Sequence, residues 1–135
     1  MKIITLTTDF GLHDYSVAAV KGALYSKCPD ATIVDISHFI SPFNILETFY
    51  ILQNSYIHFP EGSIHIGVDT ERSVSKKHLL MSLNGHYFIG ADNGIFHLLS
   101  ENYTNVALYE FNTQPPTPLF STLYSFTSIA EQICK

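Results

Sequence analysis

The sequence predicts an α/β domain built on a central, mostly parallel sheet flanked by helices. Three observations carry that reading. Short runs rich in β-branched residues at 2–7, 32–36 and 63–68 are separated by two stretches with helical apolar spacing, the order that builds parallel strands. The first return, from helix to second strand, is only a few residues long, as in a βαβ unit. The chain of 135 residues is 46% hydrophobic, enough for one domain. A domain of that size buries roughly two-thirds of its unfolded surface.

The elements follow in order. Lys2 to Thr7 (KIITLT) reads as a buried first strand, stopped by the polar cluster Thr8-Asp9-Phe10-Gly11. From Asp14 to Lys27, Val17, Val20 and Leu24 fall at i, i+3 and i+7 on one helix face, with Asp14 or Ser16 as its cap and Pro29-Asp30 as its stop. Thr32 to Ile36 is the second strand. Asn44 to Ile57 places Ile45, Phe49, Leu52 and Tyr56 at helical spacing. A turn at Phe59-Pro60-Glu61-Gly62 leads into a third strand, Ser63 to Val68, which ends at Asp69. His78 to Leu83 and His86 to Ile89 flank Asn84-Gly85, a strong hairpin signal because both residues accept positive φ. A short helix at Ile95 to Leu99, a strand at Asn105 to Tyr109, a loop through Pro115-Pro116-Thr117-Pro118 and a last helix from Ser128 to Cys134 complete the prediction.

Composition excludes several classes. With 10 Phe, 8 Tyr and only 14% charged residues, the chain is not a disordered tail. Twelve acids against seven bases leave a charge of −5, Arg72 is the sole arginine, and Lys76-Lys77 is the one adjacent basic pair, so nothing here would neutralise a nucleic-acid backbone. No apolar run approaches the ~20 residues that span a bilayer. The start lacks a signal peptide's apolar region, and Cys28 and Cys134 stand far apart with no CxxC, so the expected location is the reducing cytoplasm.

Two strands are each followed by an aspartate, Asp9 and Asp69. In open parallel sheets ligands collect beyond the carboxyl ends of the strands, where such carboxylates accept hydrogen bonds from a ribose diol or orient a water. The same residue type also caps turns and helices, so both roles stay open for each. The seven histidines, His13, His38, His58, His65, His78, His86 and His97, are scattered singly, which argues against a metal centre. His65, between Ile64 and Ile66, is expected to point to the other face of its strand, and Cys28 to act as a small buried hydrophobe. No GxGxxG, GxxxxGK or GxSxG occurs. Phe43, beside Pro42, is either core or a packing platform for a base or sugar.

The stretch ITLTTDFGLHDYSVAAVKGALYSKCPDATIVDISHFISPFNI, followed by FPEGSIHIGVD, GHYFIGADNGIF and STLYSF, resembles the N-terminal domain of the S-adenosylmethionine (SAM) hydroxide adenosyltransferases, relatives of the bacterial fluorinase and chlorinase. The likeness runs over residues 3 to 130. It implies attack of a nucleophile on C5′ of SAM, with methionine leaving: water or hydroxide gives adenosine, halide a 5′-halo-5′-deoxyadenosine. It implies no cofactor, SAM being the substrate. By motif, Asp9 matches the carboxylate on the ribose hydroxyls, a positioning contribution. Asp14 and Ser16 match positions that hold the methionine part. Phe43 resembles the aromatic beside the ribose (tryptophan in the fluorinase), and Ser125 the small or hydroxyl residue lining the nucleophile pocket.

The resemblance also has departures. Hydroxide-using members carry an Asp-Arg-His set that activates water. Asp69 matches the aspartate, but the following loop reads TERSVSKK, Lys76 stands near the arginine position with Arg72 as a shifted substitute, and Tyr124 takes the histidine position. Lysine lacks a bidentate fork, and a tyrosine with a pKa of about 10 is a poor base at pH 7. The family also has a C-terminal β-barrel and assembles as trimers with sites between subunits. The expectation is therefore a SAM-binding half, truncated at its C-terminal end, with Asp69, Lys76 and Tyr124 as the catalytic set and a homotrimer if a barrel is supplied. The rivals are a non-catalytic SAM- or nucleoside-binding remnant and a partner-dependent fragment.

Overall fold

In the computed structural model of the chain, the described residues are 2–41, 44–67, 78–92, 94–111 and 125–135. They form β1 (Ile3–Thr7), α1 (Ser16–Lys27), β2 (Thr32–Ser37), α2 (Ile45–Ser55), a 3-10 turn (Tyr56–His58), β3 (Ile64–Gly67), β4 (His78–Leu83), β5 (His86–Ala91), α3 (Ile95–Ser100), β6 (Ala107–Phe111) and α4 (Thr127–Cys134). The predicted α/β class holds. The sheet has six strands in the order β2-β1-β3-β5-β4-β6. β1 pairs in parallel with β2 and β3, and β3 with β5; β4 runs antiparallel to β5 and β6.

The boundaries move for local reasons. α1 begins at Ser16, two residues later than the spacing suggested, because the Asp14 carboxylate takes the Ser16 N–H at 2.8 Å and turns the chain there. Asn44, outside α2, caps that helix by accepting from the Glu47 N–H at 3.0 Å, while its own amide donates to the Glu47 carboxylate at 3.1 Å. β6 slides towards the C-terminus, since its ladder with β4 begins at Ala107 opposite Ser82. The Asn84-Gly85 hairpin forms as expected, with φ of +52° and +81°.

Two cores cover the two faces of the sheet. On one, α1 and α4 bring Val20, Leu24, Ile129 and Ala130 against Ile4, Leu6, Ile64, Ile66 and Ile89. On the other, α2 and α3 bring Leu52, Phe96 and Leu99 against Leu79, Met81, Leu83 and Phe88. Strand alternation explains the division: Ile64 and Ile66 face α1, and His65 between them faces the α2 side, beside Tyr56 and Phe88. Cys28 is buried, as expected of a small hydrophobe. Distant in sequence, it lies beside Cys134, and burial together with that neighbouring thiol pushes its pKa up to about 12.

Candidate functional site

β1 lies between β2 and β3, with the helix that follows β1 on one face and the helix that follows β2 on the other. The strand order therefore switches direction at the β1/β3 seam. In such sheets the loops part there and leave a crevice beyond the carboxyl ends of the strands. Thr7, the last residue of β1, pairs with Gly67, the last of β3. Its hydroxyl is buried and has no hydrogen-bond partner among the described residues. The next residues are Thr8, which is buried, and Asp9, which is half-buried at the mouth of the seam.

A dense set of bonds ties the loop bearing Asp9 to the loop after β2. Thr8 N–H donates to the Ser37 carbonyl at 2.8 Å, Gly11 N–H to the His38 carbonyl at 2.6 Å, and Ile40 N–H to the Thr8 carbonyl at 3.2 Å. Gly11 adopts φ +70°, which its lack of a Cβ allows. Side chains add a second layer. His38 Nε2 meets an Asp35 carboxylate oxygen at 2.7 Å, and His38 Nδ1 meets Thr8 Oγ1 at 2.7 Å. The Phe10 N–H donates to the same Thr8 oxygen at 3.2 Å. Behind Asp35, Lys21 of α1 donates to the other carboxylate oxygen. Burial alone would lift the Asp35 carboxyl, but its hydrogen bonds from Lys21 and His38 outweigh burial and hold it below the ordinary value.

Asp14 sits on the same β1–α1 connection as Asp9, and Ser16 opens α1 just after it. Asp14 is exposed, and its carboxyl is held below the usual range first by the Ser16 amide and then by the Ser16 hydroxyl. Ser125 comes from the far end of the chain. β4 is antiparallel, so His78, its first residue, lies where the parallel strands finish. Phe126 packs edge-on to the His78 ring at 5.0 Å between centroids, which brings the buried Ser125 to the same end of the sheet. Thus Asp9, Asp14, Ser16 and Ser125 all lie on the carboxyl side of the sheet. Phe43, Asp69, Lys76 and Tyr124 lie outside the described residues.

His38 escaped the sequence reading, which counted it among scattered histidines. The available signal was local: Asp35 and His38 three residues apart at the end of a strand, in VDISH. His65 and His86 form a second polar cluster, on the α2 face towards the other ends of the strands. His65 Nδ1 meets Thr5 Oγ1 at 2.7 Å and its Nε2 meets His86 Nδ1 at 3.1 Å. Burial, reinforced by His86, drives His65 down to about 3; burial also lowers His86, against the opposing pull of Glu61. Among the described residues no group of three or more His, Cys, Asp or Glu is placed to hold a metal, and no helix is long and apolar enough to cross a membrane.

The profile of the SAM hydroxide adenosyltransferase N-terminal domain matches residues 4–135. The (R)-S-adenosyl-L-methionine hydrolase of Methanocaldococcus jannaschii is 41% identical over 109 residues, covering 75% of this chain and 40% of that protein. The protein of the same name from Thermus thermophilus is 30% identical over 98 residues, 73% of this chain and 38% of its own. The fluorinase of Nocardia brasiliensis is 42% identical over 62 residues, 46% of this chain and 21% of that enzyme. The chain thus spans 40% or less of the length of these relatives. A solved structure of an uncharacterized conserved protein from Thermotoga maritima superposes with a TM-score of 0.86 at 28% identity, over 97% of this chain and 54% of that one.

Proposed function

The chain belongs to the SAM hydroxide adenosyltransferase family, and we propose that it forms the SAM-binding half of a site that transfers the adenosyl group of SAM to water or hydroxide. The oxygen attacks C5′, the C5′–S bond breaks, and the sulfonium sulfur keeps the electron pair and leaves as methionine; adenosine is the other product. When water is the nucleophile its proton must be taken up, and Asp69 is the carboxylate assigned that task. Asp9 holds the ribose hydroxyls so that C5′ lies in line with the nucleophile. Asp14 and Ser16 bind the methionine end, Phe43 packs beside the ribose, and Ser125 lines the nucleophile pocket. Lys76 supplies positive charge, and Tyr124 a hydroxyl, where hydroxide-using relatives carry arginine and histidine. SAM is substrate, with no cofactor; the setting is the cytoplasm, and the assembly is a homotrimer where a barrel domain is supplied.

The observation that supports this reading is the half-buried Asp9 at the β1/β3 switch point, on a loop fastened from both sides to the loop after β2. A carboxylate kept in place by backbone bonds is suited to a vicinal diol, because it needs little reorganisation on binding. The departures at Lys76 and Tyr124 favour a second reading, a domain that binds SAM or adenosine without turnover.

One experiment separates them. The 135-residue chain is titrated calorimetrically with SAM and with adenosine, and the mixture is chromatographed after incubation. Asp9→Ala should weaken adenosine binding about 100-fold, as expected for losing charged hydrogen bonds to two hydroxyls. Asp69→Asn should keep affinity and lose about 100-fold or more in rate if the chain is a catalyst. Unchanged adenosine binding by Asp9→Ala would sink the ribose role, and affinity without products would leave the binder.

A further inference from the structure

We propose that His38 is a positioning residue for ribose recognition, holding the Thr8–Gly11 loop so that Asp9 is presented to the diol. The inference rests on the preceding reading of Asp9 and adds to it a residue that the motif match does not assign. Its basis is a directed chain of hydrogen bonds from the surface of α1 to the loop. Lys21 donates to Asp35, and Asp35 accepts from His38 Nε2 at 2.7 Å. A carboxylate on Nε2 keeps the proton on that nitrogen and leaves Nδ1 to accept. Thr8 Oγ1, 2.7 Å away, then donates to Nδ1, which turns its lone pairs towards the Phe10 N–H at 3.2 Å. Thr8, which carries this hydroxyl, and Phe10, which donates to it, flank Asp9 on either side, so the orientation of one buried imidazole sets the path of the peptide between them.

The arrangement differs from ordinary core packing in two ways. His38 is 4% exposed, yet all its ring nitrogens are spent on the loop and on Asp35 rather than on filling a hydrophobic layer. The same histidine also accepts the Gly11 N–H through its backbone carbonyl at 2.6 Å, so one residue grips the loop before and after Asp9. A misplacement of a binding carboxylate by about 1 Å weakens what it holds without unfolding the domain.

The test compares adenosine with 2′,3′-dideoxyadenosine, which lacks the diol and is otherwise the same ligand. The parent chain should prefer adenosine by at least about tenfold. Thr8→Val keeps the side-chain shape and deletes the hydroxyl; it should cut that preference about fivefold or more while leaving affinity for the dideoxy compound unchanged. Thr8→Ser should restore it. Asp35→Asn, at a half-exposed side chain, serves as the second variant and should also reduce the preference if Thr8→Val does not fold. If the variants weaken both ligands alike, or leave the preference intact, His38 is structural only and the proposal is overturned. If the parent chain itself shows no preference for adenosine, the ribose role of Asp9 fails first and the positioning role falls with it.

Discussion

His38 and His65 are both almost wholly buried, 4% and 1% exposed, and both use two ring nitrogens. Their partners differ. His38 at the carboxyl edge has a carboxylate on Nε2 and a threonine on Nδ1, and Asp35 is itself neutralised by Lys21. His65 has a threonine on one side, another imidazole on the other, and the rings of Tyr56, Phe59 and Phe88 around it. With no carboxylate on either of its nitrogens, His65 is kept neutral by its burial and by the neighbouring His86. The comparison teaches that burial alone does not decide what a histidine does: the charge of its partner does. One region is fastened by ionic hydrogen bonds that reach solvent, and the other is a neutral polar layer inside a core.

Perturbations of the two regions differ widely in size. The largest is pH. His65 titrates near 6.5 unfolded and about 3 folded, so the unfolded chain binds a proton first as pH falls. Stability is therefore full above about pH 6.5 and is lost progressively towards pH 3, by about 2 kcal/mol at pH 5. Urea unfolding at pH 8 and pH 5 should show this drop, and His65→Phe should remove most of it. A parent chain equally stable at both values would mean that the pair is not neutral by burial.

Next comes His65→Leu at pH 8. It leaves the Thr5 hydroxyl and one His86 nitrogen without their partner and should cost about 1–2 kcal/mol. Adenosine affinity should stay as in the parent, because the cluster lies on the α2 face and not at the carboxyl edge. A fall in affinity would show that the two regions are coupled. Gly85→Ala, at φ +81° and with its new Cβ 3.0 Å from Glu61, should lower stability by about 1 kcal/mol, again with binding intact. The smallest effect is Lys21→Met. Its ion pair with Asp35 is partly exposed, so stability should change by only a few tenths of a kcal/mol. Adenosine affinity should nonetheless fall about twofold, since Asp35 then loses the cation that fixes it. Identical affinity would confine the important part of the chain to Asp35, His38 and Thr8.

Much of the fold was legible along the chain. Val17, Val20 and Leu24, picked out by spacing, are the buried face of α1, and Asn84-Gly85 makes its turn. These are local properties: a helix period, or a positive φ, is written within a few residues. Asp14 was legible only in part. As a cap it was placed correctly near the start of α1, but the helix's own N-cap is Tyr15, without a side-chain cap, because the Asp14 carboxylate bonds the first helical amide. Of the candidate site, Asp9, Asp14 and Ser16 could be read from one continuous loop and its motif, whereas the bond from Thr8 to His38 spans 30 residues and has no periodic trace.

By itself, then, the sequence determined the α/β class, the order of strands and helices, the hairpin, the family and the aspartate after β1, because each depends on neighbours in the chain or on a motif within it. The tertiary structure decided the strand order that puts a switch point at Asp9, the arrival of Ser125 beside β4, the meeting of Cys28 with Cys134, and the opposite environments of His38 and His65. Those depend on which distant residues share a face of the sheet and on whether a buried imidazole meets a carboxylate. Spacing along a chain cannot encode that, since partner and burial are properties of the packed solid rather than of the segment.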